Sequence, residues 1–560
     1  MLSGGESYGK TGAWLGGAGV AAERGRSYSE RKWLCRFEEI FVGMLILERV
    51  YNDKEKSKTN TEYIFMVFTY CSSGECFCRK PDEKFAETLK QTEFTSDTPG
   101  GERIRCIDDN EEALLWRLRM IGAAKKSIVL ATFDLRADES GTDLLAALNH
   151  AAEKGVEIKL LIDGIYQQLF LNGSKEFQAL ASRENVEVGV YNPVSPVGLF
   201  KLNYRMHDKY VIVDDKMYLL GGRNSNDIFL GDYTSDINVD RDILVCDTTN
   251  GKGESLQELE AYFQQIWNED CVKLKGGRKK NSSEISVLEE AADDSEGSES
   301  NLKNSDIVNG KSNAENEITD ETQEKLSKYE KQYQSLEMRY ASLKEKYTDI
   351  EDYNSWQEDT IPANKITLVN NGTHAGPKTP LVLQTIRYLA QNADNVTIQT
   401  PYVICNGYMY HTLNEIASHA RLKIILNAVE KGSNPWGCTD YLNQKKKILN
   451  TGADVYELMN EVPVHTKAVL LDDRLSVVGS YNLDMRSTYL DTELMLVIDS
   501  KELNQQIQST ESTYIEKSKE VLSNGQETEG GQYETKVLNW QKKLFYGVLR
   551  IIIRPLRQLL

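Results

Sequence analysis

Proline is scarce in this chain, eleven in 560 residues, and histidine is scarcer still at six. So little proline excludes a collagen-like or proline-rich rod, and so few histidines make any repeated histidine pattern informative. No convincing membrane span is present. The longest early apolar run, Ile40 to Leu47, is bracketed by Glu38, Glu39 and Glu48 and falls far short of the ~20 residues that cross a bilayer. Tyr63 to Tyr70 is as short and ends at Cys71 without the small residues of a cleavage site, so no signal peptide is expected. Cysteine is odd in number, nine, and mostly scattered, which argues against a disulfide framework and for a reducing compartment. Cys71, Cys76 and Cys78 lack the second pair that a zinc site requires. Positive charge is in deficit, 66 basic against 85 acidic residues for a net charge of −19. That balance opposes non-specific binding to nucleic acid or anionic lipid unless basic groups are gathered locally.

The chain is nevertheless long and ordinary in its apolar content, 40%, enough for two to four globular units at ~150 residues each. Residues 1–100 form an amino-terminal region whose first thirty residues, rich in Gly and Ser, read as a flexible leader. Residues 101–272 and 361–510 share one grammar. The first runs as a strand from Ser127 to Phe133, a helix from Asp143 to Lys154 and a strand from Val156 to Ile162; the second repeats it with Asn395 to Tyr402, Tyr408 to Ala420 and Leu422 to Ala428. Each is a βαβ unit, and the pair points to internal duplication. Residues 273–360 open as a polar, acidic linker. They then place Leu326, Tyr329, Tyr333, Leu336, Tyr340, Leu343, Tyr347 and Ile350 at spacings of three and four, an amphipathic helix suited to self-association through 326–350 or, as we favour, to packing on the protein's own surface. Residues 511–560 end in a basic amphipathic tail containing Lys542, Lys543, Arg550, Arg554 and Arg557.

The duplication becomes specific in the next element of each half. His207-Asp-Lys-Tyr-Val-Ile-Val-Asp-Asp-Lys-Met-Tyr-Leu-Leu-Gly-Gly-Arg-Asn224 aligns without a gap on His465-Thr-Lys-Ala-Val-Leu-Leu-Asp-Asp-Arg-Leu-Ser-Val-Val-Gly-Ser-Tyr-Asn482. A His, Lys and Asp at offsets 0, 2 and 7 arise by composition around one of six histidines with a probability of roughly 2 to 3%, so two occurrences demand a function. Two residues apart on a strand, His207 and Lys209 share a face, as do His465 and Lys467. Asp214 and Asp472 sit in Asp-Asp turns and serve the hairpin or a charge network. Gly222 and Ser480 leave room for a ligand, with Asn224 and Asn482 following as donors. Together these residues outline a pocket for a tetrahedral oxyanion, phosphate being the natural candidate. One imidazole attacks phosphorus and the other protonates the leaving alkoxide. Each imidazole needs a carboxylate on its second nitrogen, and sequence order predicts Asp240 or Asp242 for His207 and Glu493 for His465. The other histidines, His150, His374, His411 and His419, lack matched partners, and no three-ligand metal cluster is evident. Neither a metal nor another cofactor is expected, and Lys209 and Lys467 would neutralise the phosphate charge.

The two His-x-Lys-x(4)-Asp motifs resemble those of the phospholipase D superfamily. Tyr191-Asn-Pro193, Arg205-Met-His-Asp-Lys209, Gly221-Gly-Arg-Asn224, Asp240-Arg-Asp242, Thr400-Pro-Tyr402 and Gly479-Ser-Tyr-Asn-Leu-Asp-Met-Arg-Ser487 are most similar to the bacterial cardiolipin synthase branch. The resemblance implies an α/β fold of two pseudo-symmetric αβα sandwich lobes sharing one active site, with a helical or disordered insertion, and a phosphohistidine intermediate formed on His207 with His465 as acid and base. It implies phospholipid substrates, phosphatidylglycerol above all, and peripheral association with a bacterial membrane, for which the tail stands in place of the branch's amino-terminal membrane helices. Hydrolysis of phospholipids to phosphatidic acid uses the same residues. A nuclease of this type would want a basic track with stacking aromatics, and nucleic acid is not an expected partner. Asp491 stands where the branch commonly has Asn.

Overall fold

Two sheets with one strand order organise the protein. The computed structural model describes residues 78–195, 199–276, 328–522, 525–528, 531–533 and 537–560. The leader, Ile40 to Leu47, Tyr63 to Tyr70, Cys71, Cys76 and most of the acidic linker lie outside these residues. The first sheet contains β1 (Glu102–Ile107), β2 (Ser127–Thr132), β3 (Glu157–Asp163), β4 (Val186–Tyr191), β5 (Lys209–Val213), β6 (Met217–Gly221), β7 (Asp242–Asp247), β8 (Val272–Gly276) and the short β9 (Ile361–Pro362). The second contains β10 (Lys365–Asn370), β11 (Asn395–Gln399), β12 (Arg421–Asn427), β13 (Asp454–Leu458), β14 (Ala468–Leu471), β15 (Leu475–Gly479), β16 (Leu494–Asp499) and β17 (Ser518–Val521). Their orders are β8-β4-β3-β2-β5-β6-β7-β1-β9 and β10-β16-β15-β14-β11-β12-β13-β17. Reversing the second reproduces the first strand for strand, except for the added β9. In each, three parallel strands (β2, β3, β4 and β11, β12, β13) continue into antiparallel hairpins. The α/β fold of two repeated lobes is thus present as the duplication predicts.

Local sequence explains the elements. The helix after β2 spans Glu139–Glu153, starting before the apolar pattern does, because the Asp138 side chain caps it at the Gly141 N–H. The helix before β13 opens at Asn434 with Pro435 in its first turn. Apolar faces of both sheets meet in a common core, where Ile104, Tyr210, Leu220 and Ile243 of the first lobe pack with Ala468, Leu470, Val478 and Leu496 of the second.

The lobe boundaries differ from those the composition suggests. β9 pairs with β1 and belongs to the first sheet. The helix Lys501–Glu516 runs across residue 510 and leads into β17, the edge strand beside β13. Leu89 and Phe94, from the end of the amino-terminal region, lie in the second lobe's core. Composition marks linkers, and it does not mark which sheet an edge segment joins.

The inserted amphipathic helix, 328–346, turns its seam inward. Leu336, Tyr340, Leu343 and Ile350 are buried in the first lobe's core, and the Tyr333 hydroxyl donates to the Ala179 carbonyl. Leu326 lies outside the described residues; from Leu336 to Ile350 the seam packs on its own chain, as the intramolecular expectation has it. His150 also finds partners there: its ring lies 3.1 Å from Glu337 and 3.0 Å from Glu351. With Glu153 of its own helix and Glu337 of the inserted one it forms the one histidine-carboxylate cluster of three among the described residues, which sequence spacing did not reveal because Glu337 is far away in the chain.

Asp242 belongs to the scaffold. Its Oδ2 accepts from Arg117 Nη1 and Arg223 Nε, both at 3.0 Å, in a fully buried network. Asp242→Asn is expected to leave two guanidinium groups without a counter-charge and to destabilise the protein by about 3–5 kcal/mol, read as a lowered midpoint in urea unfolding; an unchanged midpoint would remove Asp242 from that role.

Candidate active site

Each histidine stands in the segment leading into a strand, with its lysine at or just before the first strand residue. Alternation places His207 and Lys209 on one face and turns Asp208 to the other, where it accepts from Tyr262 (2.7 Å) and Thr492 (2.8 Å). The segments before the histidines do not stay within their own lobes. Met206 bridges to Thr492 and Val464 bridges to Val239, so each strand entry runs beside the residue that precedes the other lobe's carboxylate. The Thr492 N–H donates to the Arg205 carbonyl, and the His465 N–H donates to the Val239 carbonyl.

This exchange decides the carboxylate partners. His207 Nδ1 lies 3.0 Å from Glu493 Oε1, and His465 Nδ1 lies 2.6 Å from Asp240 Oδ2. The pairing expected from sequence order is therefore reversed: Glu493 serves His207, Asp240 serves His465, and Asp242 serves neither. Sequence proximity favoured the wrong pairs because each carboxylate crosses the pseudo-twofold interface.

The supporting contacts are alike in place but not in kind. Ser480 Oγ donates to Glu493 Oε2 at 2.5 Å. At the matching Gly222, an added Cβ would sit 2.6 Å from Asp240 Oδ1, so glycine is required for the carboxylate's approach. Asp240 instead gains Lys467, whose Nζ lies 3.4 Å from Oδ2 and 3.1 Å from His465 Nε2. Lys209 Nζ donates to the His207 carbonyl at 2.5 Å and lies 4.9 Å from the centre of the Phe133 ring. Phe133 meets the His207 ring edge-on at 4.9 Å, and Phe229 meets His465 at 5.2 Å. These aromatic contacts carried no sequence signal, since neither phenylalanine belongs to the repeated motif. Asn224 and Asn482 are buried at matched positions, with amide oxygens lacking a hydrogen-bond partner.

Asp214 and Asp472 lie elsewhere. Five residues beyond Lys209, about 16 Å along an extended strand, Asp214 accepts from the Lys125, Lys126 and Ser127 N–H groups. Asp472 accepts from those of Asp394 and Asn395. Both occupy left-handed backbone, with φ of 55° and 49°, and tie the hairpin to the start of β2 or β11. Asp491, the departure from the branch pattern, is buried 3.0 Å from Arg486 and accepts from the Arg205 N–H.

Burial sets the charge state. It pushes Glu493 up to about 8, against the opposing pull of Lys209 and Ser480. Burial, reinforced by Lys209 and Lys467, holds His207 well below the usual imidazole range. Burial and then Lys467 push His465 down to about 3. Asp240 stays below the usual carboxylate range because Lys467 and His465 outweigh its burial. Burial also lowers Lys209 to about 7, although Glu493 opposes this. Both motifs thus act on one electrostatic site: His207 senses Lys467, and His465 senses Lys209. At neutral pH the pocket holds neutral imidazoles, able to attack phosphorus, beside cations that can hold phosphate oxygens.

A pH dependence follows for a dianion such as tungstate. Deprotonation of Lys209 near 7 and of Glu493 near 8 makes the pocket more negative. The inhibition constant of tungstate is expected to rise from about pH 7, by up to about tenfold per pH unit as Lys209 loses its proton, and more steeply above pH 8 as Glu493 does, measured against a soluble aryl phosphodiester; a flat profile from pH 6 to 9 would contradict this charge assignment.

The model of the family described as "Cardiolipin synthase, PLD-like domain" matches residues 118–267 and 385–512, one stretch in each lobe. The chain belongs to the phospholipase D superfamily. Within that superfamily it falls in the cardiolipin synthase-like branch. Cardiolipin synthase C of Escherichia coli strain K12 is 23% identical over 451 residues, covering 74% of this chain and 84% of that one. Cardiolipin synthase 1 of Staphylococcus epidermidis is 22% identical over 439 residues, covering 77% and 71%. The fold is similar to the crystal structure of phosphatidylserine synthase from Haemophilus influenzae Rd KW20, with a TM-score of 0.53 and 14% identity over 85% of this chain and all of that one. The fold, over both lobes, is therefore common to this protein and that structure.

Proposed function

We propose that this phospholipase D-superfamily enzyme is a phosphatidyltransferase that moves a phosphatidyl group between phospholipids, with phosphatidylglycerol as donor and acceptor and cardiolipin and glycerol as products. The observation that carries the reading is the pair of crossed histidine-carboxylate contacts around Lys209 and Lys467. His207 Nε2 attacks phosphorus while His465, protonated on Nε2 once the phosphodiester is bound, gives its proton to the departing glycerol oxygen. The phosphorus–oxygen bond breaks as the phosphorus–nitrogen bond forms. His465, now neutral, takes the proton of the incoming hydroxyl, whose oxygen displaces His207 and restores the enzyme. Lys209 and Lys467 offset the charge on the non-bridging oxygens. Glu493 and Asp240 hold the Nδ1 protons and so orient each ring.

The tail supports association with a lipid surface. Tyr546, Leu549 and Ile553 are buried, while Arg557 pairs with Asp440 at 2.5 Å and donates to the Cys405 carbonyl. The opposite face of the helix Trp540–Ile552 exposes Trp540 (71%), Leu544 (62%), Val548 (51%) and Ile551 (69%), alongside Lys543 and Arg550. An apolar stripe flanked by cations suits the interface of an anionic bilayer. Among the described residues no helix is long and apolar enough to cross a membrane.

Incubation of the full chain with phosphatidylglycerol vesicles is expected to give cardiolipin and equimolar glycerol by mass spectrometry. The triple variant Trp540→Ser, Leu544→Ser, Ile551→Ser is expected to lower vesicle binding at least tenfold while leaving a soluble aryl phosphodiester's turnover unchanged. Phosphatidic acid as the main product would replace transfer by hydrolysis, and vesicle binding unaffected by the variant would move the membrane contact elsewhere.

A further inference from the structure

The two halves of the pocket carry the same chemistry but different walls. After β3 the chain runs Gly164-Ile165-Tyr166-Gln167-Gln168-Leu169-Phe170-Leu171, and its helical turn widens into a π-helical turn over Gln167–Leu171. At the matching place after β12 it runs Ala428-Val429-Glu430-Lys431-Gly432-Ser433-Asn434, polar in its second half. A π-turn is an uncommon local form that re-aims side chains and occurs often at functional sites. In this one the result is a stepped row of rings. Phe133 touches His207 at 4.9 Å, Tyr166 stands 4.3 Å from Phe133, and Phe170 stands 5.9 Å from Tyr166. All three rings are partly exposed, the Arg136 guanidinium lies 4.4 Å from the centre of the Phe170 ring and leaves its remaining surface open, and Leu169 beside them is 37% exposed. Phe229, the ring on His465, is by contrast buried.

Partly exposed rings leading from a phosphate pocket to solvent leave apolar surface in water, and a covering occupant recovers that surface. The occupant is attached to the phosphorus that His207 attacks, because the row begins on that imidazole. In an in-line displacement the leaving oxygen departs opposite His207, toward His465, while the retained ester lies equatorial and remains on the phosphorus that becomes bonded to His207. We infer that Phe133, Tyr166, Leu169 and Phe170 form a cradle for the diacylglyceryl part of the donor lipid, so that acyl chains pass over the first lobe. The leaving polyol and the incoming hydroxyl then occupy the polar side bordered by 430–434. This assignment rests on the phosphatidyltransferase reading and adds a direction to it: the pseudo-symmetric pocket is polarised, apolar at the nucleophile and polar at the acid.

The test compares dioleoyl phosphatidylglycerol in mixed micelles, monomeric dihexanoyl phosphatidylglycerol and bis(p-nitrophenyl) phosphate, each with the native chain and with Phe170→Ser, Leu169→Ser and their double variant. These residues lie at the outer end of the row, away from His207. The double variant is expected to lose at least tenfold in kcat/KM on the dioleoyl lipid, mainly through KM, with the dihexanoyl lipid and the aryl ester changed less than twofold. Equal losses on all three substrates would overturn the cradle in favour of a structural role, and an unchanged dioleoyl rate would overturn it outright. Lys431→Ala should leave the chain-length ratio unaltered, and a tenfold change in that ratio would contradict the polarity assigned to the two walls. If the native chain turns over the aryl ester but neither lipid, the phosphatidyltransferase reading itself fails, and the cradle with it.

Discussion

Replacing either His207 or His465 by asparagine is expected to lower phosphatidyl transfer by about 10⁴-fold or more, because groups that act as a unit fail together. The two losses should differ in kind. Asparagine at 207 removes the atom that bonds to phosphorus, and no choice of substrate restores it. Asparagine at 465 removes the proton donor, which matters only when the leaving oxygen is basic. A p-nitrophenyl phosphodiester leaves without protonation, so His465→Asn should form the phosphoenzyme from it at a rate near that of the native chain and then stall. Burst kinetics of p-nitrophenol release distinguish the cases: a burst of one equivalent for His465→Asn and none for His207→Asn. Full turnover by either variant would sink the shared site.

Glu493→Gln and Asp240→Asn should each lower turnover on lipid by about 10²–10⁴-fold, the range of a positioned acid-base group whose orientation is lost. The crossed contacts, His207 to Glu493 and His465 to Asp240, fix which defect each produces. Glu493→Gln should behave like a nucleophile defect and lose the burst on the aryl ester. Asp240→Asn should behave like a leaving-group defect and keep it. Had each carboxylate served the histidine of its own half, the two patterns would be exchanged. A nearly normal burst in Glu493→Gln would therefore contradict the geometry across the interface.

Much of this was legible in the sequence because two independent periodicities agreed. The βαβ grammar gave the strands to within a residue, except that the one from Asn395 stops at Gln399, three residues short of Tyr402, and the gapless alignment of 207–224 on 465–482 picked out the histidines, lysines and asparagines. Pairings across the lobe interface were not legible. Sequence order assigned Glu493 to His465, since it lies fourteen residues past the end of that histidine's hairpin at Gly479, whereas the bridges Met206 to Thr492 and Val239 to Val464 bring each carboxylate to the opposite histidine. Nothing in one linear motif encodes the partner that a pseudo-twofold axis supplies. Asp214 and Asp472 show a related limit: their spacing is as regular as that of the histidines, yet the regularity serves the backbone N–H groups of residues 125–127 and 394–395. A repeated residue marks a repeated fold before it marks chemistry. The 326–350 periodicity located its helix correctly, but a seam of spaced tyrosines does not say whether the surface it covers is its own chain or another, and Tyr340 and Leu336 settle that only by being buried in the first lobe. The aromatic row from Phe133 to Phe170 is not legible for a third reason, since its rings come from the segments that follow two different strands and align only when β2 and β3 lie side by side.

The central claim is that one site built by both lobes transfers the phosphatidyl group through a covalent bond to His207, and its most direct measurement is the mass of the enzyme caught in mid-turnover. His465→Asn should be mixed with a p-nitrophenyl ester of phosphatidic acid, quenched in denaturant at alkaline pH, digested, and read by mass spectrometry. The account predicts one phosphatidyl adduct per chain on the peptide containing His207, absent from His207→Asn. An adduct on His465, or on neither histidine while p-nitrophenol is released in a burst, would contradict it.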